Sequence, residues 1–100
     1  MIEPEFDADG YPTETTLKLI ENWPHTNFVE LIEFVKKAWR YPHYFMMDEQ
    51  DENLLCVSTG GWSGNESLIG AMKANVVFWA CCWESSRRGG HYTFDVKRLA

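Results

Sequence analysis

The sequence predicts an α+β domain of order ααββαββ: an antiparallel-rich sheet with helices packed on one face. Three observations predict it. Phe28, Leu31, Ile32, Val35, Ala38 and Trp39 recur at helical spacing. Apolar runs at 44–47 and 54–57 flank a polar loop, as in a hairpin. A second apolar run at 76–83 and an alternating stretch at 91–96 flank a Ser/Arg/Gly-rich segment, which gives a second hairpin. Helices and hairpins grouped in this way belong to the α+β class.

The elements follow in order. Residues 1–12 form an acidic N-terminal arm, with a turn at Asp9-Gly10-Tyr11-Pro12. Residues 13–100 form a single domain, the size that 100 residues allow. Thr13 can cap a first helix whose apolar face is Leu17, Leu19 and Ile20, and Pro24 stops it by Trp23. Thr26 or Asn27 caps the second helix, Asn27 and Glu30 having capping-box spacing, and Pro42 ends it. After the first hairpin, Ser63 and Glu66 match a capping box before Leu68, Ile69 and Met72. Gly70 weakens that third helix unless it serves a close packing contact, and Asn75 is its expected stop. Val76 to Trp83 favours a strand buried on both faces by length and composition, with a helix continuing from Met72 as the other solution. Ser85 to Gly90 reads as a turn or loop.

Composition bounds the function. Hydrophobic content of 45% and aromatic content of 15% imply a folded core. The large number of rings also suits an interface, and exposed aromatics would favour a homo-oligomer. A net charge of −6 argues against a domain that grips nucleic-acid phosphates or an anionic membrane. The start is acidic rather than basic and then apolar, and no apolar run approaches membrane-spanning length, so a cytoplasmic location is expected. Cys56, Cys81 and Cys82 lack a framework spacing and read as reduced thiols; Cys81 and Cys82 would point to opposite faces of a strand. His25, His43 and His91 show no metal-ligand spacing, so neither a metal nor a cofactor is expected.

The candidate site is the loop Ser58-Thr59-Gly60-Gly61-Trp62-Ser63-Gly64-Asn65-Glu66, at a strand-to-helix junction. Glycines there supply positive φ or allow close approach. Free amides at a helix start attract an anion, with Thr59, Ser63 and Asn65 able to add side-chain bonds. The loop lacks the lysine and spacing of a phosphate-binding P-loop, the Rossmann glycines, and the second glycine of a nucleophile elbow. The plain alternative is that the glycines let Trp62 tuck against the sheet. Arg87, Arg88 and His91 form a second polar site, and the arginines would reach the Gly loop if the last hairpin lies beside residues 57–60. Asp48, Glu49, Asp51 and Glu52 form an acidic surface. No local pattern builds a catalytic group: Ser63 or Cys56 with His91 requires the fold to unite them.

The blocks Asp9-Gly10-Tyr11-Pro12-Thr13, Gly60-Gly61-Trp62-Ser63-Gly64-Asn65-Glu66 and Arg88-Gly89-Gly90-His91-Tyr92-Thr93-Phe94, with Phe78-Trp79, resemble a family of small phage and prophage proteins of unassigned function. The resemblance covers most of the chain. It implies a phage-type accessory protein that binds a host or phage protein in the bacterial cytoplasm, with inhibition of a host defence enzyme as one such role. It carries over no catalytic residue. The expectation is therefore protein binding, with Trp62 as apolar anchor and Arg87 or Arg88 as charged contacts. A pocket for a small anion or nucleotide at the Gly loop is the alternative. Nucleic-acid mimicry by the acidic surface is a third reading.

Overall fold

The computed structural model describes residues 2–99; Met1 and Ala100, the outer ends of the predicted arm and domain, lie outside the described residues. The chain forms helices α1 (Glu14–Glu21), α2 (Phe28–Ala38), α3 (Ser63–Ala74) and α4 (Val76–Cys82), and strands β1 (Phe45–Met47), β2 (Leu54–Ser58), β3 (Trp83–Arg87) and β4 (His91–Asp95). The four strands make one antiparallel sheet in the order β1-β2-β4-β3. The fold is α+β with two hairpins, as expected, and carries one helix more than the predicted order.

That helix comes from the apolar run at 76–83. Asn75 ends α3 and its Oδ1 accepts the Phe78 N–H at 3.2 Å, which starts α4 at once. Phe78 and Cys82, four residues apart, are buried, whereas Val76, Val77, Ala80 and Cys81 are exposed. A strand buried on both faces would leave none of these exposed. Only Trp83 joins the sheet, and β3 continues through Ser85 and Ser86 where a turn was expected. The turn itself is Arg88-Gly89-Gly90, with φ of 88° and 78° at the two glycines.

Period-two alternation sorts the sheet into two faces. Cross-strand neighbours Phe45 and Val57, and Leu55 and Phe94, point inward. They meet Ile20, Leu31, Val35, Leu68, Met72 and Phe78 in one core. Met46, Cys56, Ser58, Thr93 and His91 take the other face. Helices therefore cover a single face, and the polar one is left to solvent.

The helix starts differ in chemistry. Thr13 Oγ1 accepts the Thr16 N–H at 3.3 Å, the predicted cap. Neither expected capping box forms: Asn27 makes no side-chain cap, and Ser63 is already inside α3, preceded by Trp62. Gly70 has nothing within 4 Å of the position a Cβ would take, so no close contact explains it. Asn75 also ties α1 to the helical layer: its Nδ2 donates to the Ile20 and Trp23 carbonyls at 3.0 and 3.1 Å.

Candidate functional site: an aromatic and arginine surface around the Gly loop

The Gly loop leaves β2 and enters α3, and its conformation follows from its glycines. Gly60 and Gly61 have φ of 64° and 78°, a region that side chains disfavour. At Gly60 a Cβ would lie 2.9 Å from the Tyr41 ring and 3.2 Å from that of Tyr44. At Gly64 it would collide with the Trp62 ring, which folds back over its own helix start. Thr59 is buried, and its carbonyl accepts from the Trp62 N–H at 3.2 Å.

Asn65 is the centre of this arrangement. It is fully buried; its Oδ1 accepts the Arg40 N–H at 3.0 Å, and its Nδ2 donates to the Arg40 and Thr59 carbonyls at 2.9 and 3.1 Å. These bonds clamp the segment after α2 onto the Gly loop. The clamp sets the Arg40 guanidinium 4.3 Å from the centre of the Trp62 ring, a cation–π distance. Tyr11 stacks on the same ring at 5.2 Å. Tyr41, His43 and Tyr44 form a second cluster, with ring separations of 6.4, 5.8 and 4.2 Å. Tyr41 has φ of 69°, the only positive φ outside glycine among the described residues. Tyr11, Tyr41 and Tyr44 are all exposed.

The last hairpin does lie beside residues 57–60. Thr59 N–H donates to the Gly90 carbonyl at 3.0 Å, and Ser58 Oγ lies 2.7 Å from His91 Nδ1. A Cβ at Gly90 would strike Thr59, so the second glycine of the turn permits the approach. Thr59, Gly60, Gly61, Trp62, Ser63, Asn65 and His91 thus belong to one region. Arg87 lies opposite His91 in the ladder, on the polar face of the sheet, and Arg88 is exposed in the turn. The cation that meets Trp62 is Arg40, not Arg87 or Arg88.

Ser58 and His91 are a hydroxyl and imidazole in hydrogen-bond contact, yet no carboxylate hydrogen-bonds to His91 among the described residues. Cys56, on the same face, has its thiol pushed up by burial and then by Asp48, the opposite of an activated nucleophile. The groups gathered around the Gly loop are aromatic faces, a guanidinium and a fixed backbone.

The acidic surface is a separate feature. Asp48 Oδ1 accepts the N–H of Gln50 and of Asp51 at 2.8 and 3.2 Å, and Asp51 Oδ1 accepts that of Asn53 at 2.9 Å. These two carboxylates shape the β1–β2 loop, whereas Glu49 and Glu52 are exposed. No group of three or more His, Cys, Asp or Glu side chains that could hold a metal occurs among the described residues. No helix among them is long and apolar enough to cross a membrane. A hollow of about 630 Å³ between α1 and the start of α2 is lined by Ile2, Leu19 and Trp23, and by none of the predicted site residues.

Arg40, Tyr41, His43 and Tyr44 escaped the sequence reading. The signal was the density of rings in Trp39-Arg40-Tyr41-Pro42-His43-Tyr44-Phe45, which ends a helix and begins a strand. No protein-family model, curated protein or solved structure matches the chain.

Proposed function

We propose that this domain works by binding another protein through the surface that Tyr11, Arg40, Tyr41 and Tyr44 form around the Gly loop. One observation carries the reading: exposed tyrosines and an arginine are held by a buried clamp, beside a tyrosine in a backbone conformation that side chains disfavour. Aromatic residues and arginine are the residues that dominate interface energetics. Strained backbone that its surroundings hold in place concentrates at functional positions. The partner class that the resemblance implies is a host or phage protein in the bacterial cytoplasm, and inhibition of a host defence enzyme is one outcome of such binding.

Capture from nuclease-treated bacterial lysate, read by mass spectrometry, tests this. The full chain is compared with Tyr44→Ala and with Tyr41→Gly, the latter keeping the backbone geometry while removing the ring. The expected result is a protein retained by the wild type and lost from both folded variants. Retention unchanged in both overturns the assignment of the surface.

A small anion at the start of α3 is the second reading. It is supported by the absence of a side-chain cap there and by Arg40 beside the same loop. Amide shifts at residues 60–65 on adding phosphate would support it, and their absence at millimolar phosphate would remove it.

A further inference from the structure

We propose that the open face of the sheet holds a phosphate group, free or as a monoester, between Arg87 and His91 at the last hairpin.

Three neighbouring strands build the site. β3, β4 and β2 set Arg87, His91 and Ser58 side by side in one row. Residues directly opposite in an antiparallel pair share a face, with Cα atoms about 4.5–5.5 Å apart. That face is the polar one, which no helix covers.

The imidazole is fixed in place. Ser58 Oγ lies 2.7 Å from His91 Nδ1. With the hydroxyl donating to Nδ1, the ring hydrogen sits on Nε2, and the doubly protonated ring carries one there too. Nε2 faces the turn: a Cβ on Gly89 would lie 3.3 Å from it. Glycine thus leaves open the space beside this N–H.

The guanidinium is the second group. Arg87 and Arg88 are adjacent and exposed, and neither side chain makes an ion pair or hydrogen bond among the described residues. This holds although the chain has 15 acidic side chains against 9 lysines and arginines. The Arg87 charge nonetheless acts on the open face. Burial and Asp48 push the Cys56 thiol up, whereas Thr93 and the Arg87 charge pull it down. Cys56 stands opposite Thr93 in the next row, so the guanidinium lies over the sheet and not away from it. Clustered charge of one sign raises the local concentration of the opposite ion.

The donors suit a phosphate group. A guanidinium fork binds two oxygens side by side, which satisfies a carboxylate completely. A phosphate has a third oxygen for the His91 Nε2–H and a further charge, and Arg88 adds positive charge at the same end of the sheet. The fourth oxygen is left toward solvent, where an ester substituent meets no covering layer. The carboxylates of this face lie further along. Asp48 Oδ2 is 3.8 Å from Cys56 Sγ, one row away, and Asp95 pairs with Leu54, about 13 Å along β4 from His91. They repel an anion from the middle of the sheet and leave the hairpin end as its favourable place. No amide of the α3 start takes part.

Heteronuclear NMR on the full chain, at constant ionic strength, tests this with inorganic phosphate and with O-phosphoserine. Saturable shifts of the His91 imidazole and the Arg87 Nε–H are expected, with a Kd of about 1 mM or tighter. Arg87→Gln and His91→Ala are each expected to weaken binding about tenfold or more, and Ser58→Ala, which frees the ring, about threefold. Acetate is expected to bind about tenfold more weakly than phosphate. Retained dispersion of the amide spectrum confirms that each variant is folded. Tighter binding of phosphoserine assigns the group to an ester, and tighter binding of phosphate assigns it to the free ion. Shifts confined to residues 60–65, shifts still linear at about 20 mM, acetate binding as tightly as phosphate, or affinity unchanged in both Arg87→Gln and His91→Ala overturns the proposal.

Discussion

Asn65 makes three hydrogen bonds, all to backbone groups that no helix or strand would satisfy. Removing the side chain leaves the Arg40 N–H and carbonyl short of this partner in a partly buried place, while the Thr59 carbonyl keeps the Trp62 N–H. Asn65→Ala is expected to destabilise the fold by about 2 kcal/mol, since each orphaned group costs roughly 1–3 kcal/mol when buried and less when part-buried. The midpoint of urea unfolding measures this, and the Arg40–Trp62 contact should loosen with it. Cys82 offers a different residue-level test. Burial, then the neighbouring Cys81 and Asp95, push its thiol from an ordinary 9.0 to about 11. Above pH 9 the unfolded chain releases this proton while the folded chain still holds it. The thiol's contribution to stability is thus complete below pH 9 and is lost as pH rises toward 11. Urea midpoints at these two pH values should fall less in Cys82→Ala than in the wild type.

At the scale of elements, local signals were legible wherever the side chain that made them also made the structure. Thr13 caps α1, and the spacing of Phe28, Leu31 and Val35 is that of α2. The signals misled where a residue type is shared between solutions. The Val-Val-Phe-Trp run has the composition of a buried strand, but Asn75 caps it as a helix and the i, i+4 contact of Phe78 and Cys82 with the core keeps it there. The capping-box pattern at Ser63 failed because Trp62 occupies the helix boundary and turns back over Gly64. The role of Gly60 was legible as a need for positive φ. Its packing against Tyr41 and Tyr44 was not, since those rings come from a distant stretch of chain. Gly70 is the opposite case: it is exposed, has ordinary φ and has open space around its Cα. Gly70→Ala is expected to stabilise α3, and the domain with it, by about 0.5–1 kcal/mol. A rise in the thermal midpoint measures it, and a fall would show a contact that the open space does not suggest.

At the scale of the molecule, the sheet order has a consequence in time. Each hairpin, β1 with β2 and β3 with β4, closes over a short loop. The central seam between β2 and β4 does not: Ser58 and His91 meet across 33 positions of sequence, with both α3 and α4 in between. Closing a loop of that length loses chain entropy before any ladder bond forms. Contacts of this separation set folding rates more than stability does. The hairpins and helices can form and dissolve many times while the seam stays open, so the seam governs how fast the domain folds. Until it closes, β2 and β4 each present an unfinished edge to any other chain nearby, and the interval before closure is when this protein is most exposed to aggregation.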